Sequence, residues 1–284
     1  MKLVSFLYKN ASRVGVLEDE QVRILPIDCG HDVGTLVAKA AQGASFAELT
    51  DGTDATVALA DVTLLPPVTE PGKIICVGLN YKDHTAESDY QQPDYPTFFL
   101  RLTTSLTAHD APIERPLASD SLDFEGELAI IIGKAGRHVA RESALDYVFG
   151  YSVFNDGSVR EYQFKSPQWT IGKTFDKTGG FGPAVVTADA LPAGAHGLDI
   201  QTRLNGEVVQ SSNTRYMIHD VAELITVLSE AITLEPGDVI VAGTPAGIGW
   251  ARNPRLLMRD GDVCEVTIEG IGTLRNPIVD EAQW

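Results

Sequence analysis

Leu128-Ala129-Ile130-Ile131-Ile132 is an apolar run, mostly branched at Cβ, that Gly133 closes. It is too short for a typical helix and reads as a buried strand. Asp123-Phe124-Glu125-Gly126-Glu127 leads directly into it, with carboxylates at i, i+2 and i+4. Side chains alternate along a strand, so a continuous strand points Asp123, Glu125 and Glu127 to one face. Three like charges at the mouth of a core repel and resist desolvation. Two solutions stay open: a solvated acidic strand edge, or an oxygen-ligated divalent cation among the carboxylates.

The 284 residues suit one large domain, or a large and a small one. A hydrophobic content of 44% fits a soluble chain with a sizeable core. The net charge of −17, with no Lys/Arg cluster, argues against nucleic acid and against anionic membranes. An acidic small molecule remains compatible, because local cations override a global field. Cys29, Cys76 and Cys264 stand far apart, without metal-ligand spacing, and read as small core residues of a protein in a reducing cytoplasm. The first apolar residues give way at once to Tyr8-Lys9-Asn10, too soon for an export signal, and no window is apolar enough to span a membrane.

Residues 1 to 70 read as a small α/β unit. Leu3–Leu7 and Arg13–Leu17 are strands of a meander, and 33 to 47 forms one amphipathic helix. Pro66-Pro67 and Pro71-Gly72 mark the boundary. From 71 to 284 short strands alternate with glycine and proline, as in Lys73–Gly78, Val148–Phe154, Asp238–Ala242, Asp262–Ile268 and Thr273–Val279. One longer helix is predicted after Asp220, where a capping pattern precedes apolar residues at helical spacing. The fold class is mainly β (α+β), with few helices.

Asp156 ends the strand Val148–Phe154 and could complete a three-carboxylate site, although an Asp before Gly157 is also an ordinary turn residue. All-oxygen ligation selects Mg²⁺, Mn²⁺ or Ca²⁺. His84 and Glu87 share a face of a single helical turn, as a general base and its orienting acid would, or as a polar surface turn would. Lys173 lies among apolar and glycine neighbours and suits charge stabilisation, or a snorkelling position. Arg160 and Gln163 follow Asp156 at helical spacing, and Arg101 is flanked by apolar residues. Gly243-Thr244-Pro245-Ala246-Gly247-Ile248-Gly249 lacks the lysine and spacing of a P-loop, which excludes nucleotide binding by that motif.

Together these segments resemble the fumarylacetoacetate hydrolase family, in its acylpyruvate hydrolase and 2-hydroxyhepta-2,4-diene-1,7-dioate isomerase branch. The likeness covers about 73 to 280. It rests on Val77-Gly78-Leu79-Asn80-Tyr81-x-x-His84-x-x-Glu87, Asp123-Phe124-Glu125-Gly126-Glu127, Asn155-Asp156, Gly172-Lys173-x-Phe175-Asp176 and the closing Gly-Asp and Gly-x-Gly motifs. The resemblance implies a mixed β-sandwich or roll and a homodimer. It makes Glu125, Glu127 and Asp156 ligands of Mg²⁺ or Mn²⁺, with Ca²⁺ able to substitute in vitro, and it removes Asp123 from the ligand set. It assigns His84 and Glu87 to water activation, Lys173 to the enolate, and Tyr81, Arg101, Arg160, Gln163 and Thr244 to the substrate. Arg101 departs from a lysine often found there. The implied reaction is hydrolysis of a carbon–carbon bond in a 2,4-diketo acid. Decarboxylation of an oxaloacetate-like acid and isomerisation or hydration of a dienoate are the alternatives on the same scaffold. A Ca²⁺-dependent β-sandwich binding module would account for the acids but has no use for His84, Glu87 or Lys173.

Overall fold

A computed structural model describes residues 1–52, 55–87 and 94–283. Its organising feature is a twelve-stranded sheet. The sheet strands used below are β1 Lys2–Tyr8, β2 Ala11–Glu18, β3 Gln21–Ile24, β4 Ala55–Ala58, β5 Ile74–Gly78, β6 Thr97–Leu100, β7 Gly126–Ile132, β8 Val148–Asp156, β9 Gly179–Thr187 and, later in the chain, β12 Val239–Val241. They lie in the order β4-β3-β2-β1-β9-β8-β7-β12-β5-β6. Strands β10 Asp199–Leu204, β11 Glu207–Asn213, β13 Val263–Ile268 and β14 Gly272–Asp280 form a second sheet, which Ile113–Arg115 completes beside β14. The structure is mainly β, as the alternation of short apolar runs with glycine and proline predicts.

Strand β7 shows why its sequence is almost unbroken in apolarity. Leu128, Ile130 and Ile132 enter a core shared with the long helix Val221–Ala231 and with Ile200, Val266 and Leu274 of the second sheet. Ala129 and Ile131 enter the opposite core, against Val33, Leu36 and Val37. Buried on both faces, the strand is apolar from Leu128 to Ile132 and admits a charge only at its mouth, at Glu127.

The leading segment supplies one end of the large sheet. Its strand β1 is hydrogen-bonded to β9, with Lys2 opposite Val186 and Leu3 opposite Val185, so the meander continues the large sheet. The single helix expected over 33 to 47 is instead two, Val33–Ala41 and Phe46–Asp51. Gly43, with φ of +100°, ends the first, and Ser45 caps the second. Asp220 caps the helix Val221–Ala231 by accepting from the Glu223 amide, and the apolar face predicted for it is buried.

The expected continuous strand from Asp123 is also broken. Leu122–Asp123 pairs with Ser158–Val159 as a separate two-stranded piece, and β7 begins only at Gly126. Phe124-Glu125 is the joint, so the three acids no longer share one face.

Candidate active site

The strand ends bring the carboxylates together. Gly126 faces Asn155 and Glu127 faces Phe154 across β7 and β8. The Asp156 amide donates to the Glu125 carbonyl at 2.8 Å, and Asn155 Oδ1 accepts from the Glu125 amide at 3.0 Å. Glu125, Glu127 and Asp156 each offer an oxygen, all within 4.8 Å of one another, and all three are buried. Asp123 points elsewhere. It binds Arg160 Nε at 2.9 Å and accepts from the amides of Gly249 and Trp250 at 2.8 and 3.0 Å.

Three buried cations surround this cluster. Lys173 Nζ lies 2.6 Å from Glu125 and 2.7 Å from Asp156. Arg160 Nη1 lies 2.6 Å from the other oxygen of Glu125. Arg101 Nη1 lies 2.5 Å from Asp156, with its remaining donors on Gly157, Ser105 and Thr178. Arg101 thus holds Asp156 from behind, and it is not among the residues lining the cavity.

Burial alone would raise the Glu125 carboxyl, but Lys173, Arg160 and His84 outweigh it and hold the group below the usual carboxylate range. Among the described residues Glu127 forms no ion pair with a cation. Burial, together with Asp156 and Glu125, pushes its carboxyl well up. For Lys173 burial works against the ammonium, and Asp156 and Glu125 more than compensate, so its charge is secured.

With all four buried carboxylates (Asp123, Glu125, Glu127, Asp156) ionised, as metal binding requires, Arg101, Arg160 and Lys173 leave one negative charge unbalanced. A divalent cation would turn this into one net positive charge, suited to a carboxylate ligand. The all-oxygen donor set and the uncompensated Glu127 therefore fit a hard divalent ion held by Glu125, Glu127 and Asp156.

Beside the acids lies a cavity of about 570 Å³. His84, Glu87, Glu125, Glu127, Arg160, Gln163, Lys173 and Thr244 all line it. His84 Nδ1 is 2.9 Å from Glu87 Oε1 on the short helix Lys82–Glu87, so the pair foreseen in the sequence is made. Gln163 Oε1 accepts from Arg160 at 2.8 Å, while the Thr244 hydroxyl donates to the Gly126 carbonyl at 3.0 Å and accepts from Gln210. Tyr81, just before the helix, is fully buried and outside the cavity lining; burial, then Glu127 and Asp83, push its phenol pKa up.

The glycine-rich loop serves the site through its backbone. Its amides hold carboxylates: Gly243 donates to Glu127 at 2.5 Å, Gly247 to Glu87 at 2.8 Å, and Gly249 to Asp123. The loop therefore ties metal-ligand candidate, histidine partner and arginine partner into one frame. Phe164, Trp169, Trp250 and Arg255 also line the cavity. Nothing in the sequence points to them, because isolated aromatics and one arginine carry no spacing signal.

Residues 73–279 match the model of the fumarylacetoacetate (FAA) hydrolase C-terminal family, and residues 1–67 match that of an Rv2993c-like N-terminal segment. The chain belongs to the FAA hydrolase family, whose members are enzymes. Oxaloacetate tautomerase fahd2, mitochondrial, from Xenopus laevis is 42% identical over 221 residues, which are 77% of this chain and 69% of that one. The solved fumarylacetoacetate hydrolase of Exiguobacterium antarcticum is 37% identical with a TM-score of 0.86, covering 99% of this chain and all (100%) of that one. The 2-hydroxyhepta-2,4-diene-1,7-dioate isomerase of Mycobacterium marinum is 34% identical with a TM-score of 0.81, both chains being covered in full (100%). Among the described residues no helix is long and apolar enough to cross a membrane.

Proposed function

We propose that this chain moves a proton at C3 of a 2-oxo acid whose C3 lies between two carbonyl groups, interconverting its keto and enol forms. The observation that carries this reading is that His84, partnered by Glu87, lines the same cavity as the Glu125/Glu127 carboxylates and Lys173. Glu125, Glu127 and Asp156 would hold Mg²⁺ or Mn²⁺, which would supply Lewis-acid stabilisation of negative charge developing on the substrate.

The protein's own groups do the rest. With His84 Nδ1–H donating to Glu87, Nε2 is left as the basic nitrogen: it takes the C3 proton and passes it to the 2-oxo oxygen to give the enol, and the reverse transfer restores the keto form. Glu87 stabilises the imidazolium that this creates. The Lys173 ammonium offsets negative charge growing on the substrate oxygens. Phe99, Trp169 and Ile248 line the same cavity and limit competing water. The 42% identity to a protein named oxaloacetate tautomerase supports this choice over hydrolysis.

Hydrolysis of a 2,4-diketo acid, to which the motifs alone point most directly, is the second reading. The cavity volume of about 570 Å³ favours it, being much larger than a four-carbon acid requires. There the same His84 Nε2 activates water for attack at C4. The two separate on product. Given Mg²⁺, the enzyme should accelerate enol–keto interconversion of oxaloacetate, followed by the loss of enol absorbance, and release little pyruvate from an acylpyruvate. Pyruvate release at a comparable rate would move the conclusion to hydrolysis. His84→Ala should slow deuterium exchange at C3 by ~10²–10⁴ while Mg²⁺ binding survives. Exchange at the wild-type rate in that variant removes His84 from the reaction.

A further inference from the structure

The mouth of the cavity carries a cation that neither the metal cluster nor the proton transfer employs. Arg255 lines the cavity, is exposed, and forms no ion pair among the described residues. Its guanidinium lies over the Trp250 ring, 3.4 Å from the centroid. Trp250 in turn packs on Phe164 at 5.8 Å, and both rings line the same cavity.

The rim segment is anchored rather than loose. Its amides at Gly249 and Trp250 donate to the buried Asp123, and the amides of Arg252 and Leu256 return to the Gly249 carbonyl at 3.3 and 3.0 Å. Arg252 Nη2 adds a bond to the Val209 carbonyl at 2.5 Å. A guanidinium stacked on an aromatic face keeps its N–H donors at the edge of its plane, where a carboxylate can be met by two of them. Stacking also removes part of the rotamer freedom that a surface arginine otherwise loses on binding.

We infer that Arg255 is a specificity-determining residue that receives a second, distal carboxylate, so that the preferred substrates are 2-oxo dicarboxylic acids rather than their monocarboxylic counterparts. This rests on the reading of the acidic cluster as the 2-oxo acid site. The proximal carboxylate lies with Glu125, Glu127, Asp156 and Lys173, and the carbon chain lies along Trp169, Phe164 and Trp250. The distal carboxylate reaches Arg255. A ligand fixed at both ends has its C3 held beside His84, which turns binding at the rim into alignment at the reacting carbon.

The test uses unreactive ligands matched in length: 2-oxoglutarate against 2-oxopentanoate, and 2-oxoadipate against 2-oxohexanoate, titrated calorimetrically into the full chain with Mg²⁺. The dicarboxylate of the better-fitting length should bind at least roughly tenfold more tightly than its monocarboxylic partner. Arg255→Gln should reduce that ratio to near one through weaker dicarboxylate binding, and Arg255→Lys should restore only part of it, because an ammonium cannot form the paired contact. A ratio near one in the wild type, or a wild-type ratio kept by Arg255→Gln, overturns the inference and leaves the 2-oxo acid site standing. Failure of both members of each pair to bind with Mg²⁺ takes down the 2-oxo acid reading itself, and this inference with it.

Discussion

Glu127 is the carboxylate with the least compensation in the cluster. Burial, Asp156 and Glu125 all raise it, Lys173 and the Gly243 amide oppose them, and among the described residues no cation pairs with it as Lys173 pairs with its neighbours. A metal ligand must be deprotonated, so loading an ion here displaces a proton from a group whose free-state pKa lies above the usual carboxylate range. Mg²⁺ affinity should rise with pH across the interval between the ordinary and the raised value, and level off above it. Calorimetry in buffers of different ionisation enthalpy should show proton release on Mg²⁺ binding. Heats independent of the buffer would contradict this role. Glu127→Gln should lose Mg²⁺ binding while the chain stays folded, because the side chain then no longer carries the repelled charge.

At the scale of elements, the loop following β12 organises the site more than any strand does. Gly243 has φ of +96°, and a Cβ there would come within 2.7 Å of Asn80 Cβ. The residue must be glycine both for its backbone and for this approach. Gly243→Ala should therefore cost about 1–3 kcal/mol in urea unfolding and weaken Mg²⁺ binding as well, since the displaced amide is the one on Glu127. Loss of stability with unchanged Mg²⁺ affinity would show that the loop supports the fold without shaping the cluster. The capped helix Val221–Ala231 behaves differently, since its position was evident from the Asp220 cap and the spacing of Val221, Leu224, Ile225 and Leu228. Local hydrogen bonds and periodicity define such an element, and they are written in neighbouring residues. The split at Gly43, by contrast, overrode an apolar periodicity that runs on to 47.

For the whole molecule, the sheet ends at β6, an edge strand that leaves Leu100 and, just beyond it, Leu102 more than half exposed, at 53% and 55%. Unpaired, apolar edges are an association surface. With the homodimer that the family resemblance implies, this edge is the expected contact. Sedimentation should show a dimer, and Leu102→Asp should shift it towards monomer. A wild-type chain that remains monomeric at all accessible concentrations would reject the assembly, and a dimer indifferent to Leu102→Asp would reject this edge as its interface.

The sequence by itself determined the mainly β character, the chemistry of the acids, and the pairing of His84 with Glu87. Each depends on residues that are neighbours in the chain, or on a motif whose members are individually distinctive. It also marked Asp156, 29 residues beyond Glu127, as a partner worth considering. Only the tertiary structure decided that the strand breaks at Phe124-Glu125 and turns Asp123 towards Arg160. The same holds for Arg101 standing behind Asp156, and for three amides of a glycine loop each holding a different carboxylate. Those relations join residues as far apart as Asp123 and Gly249. Backbone amides have no side-chain signature, and long-range contacts have no period, so nothing along the chain announces them before it folds.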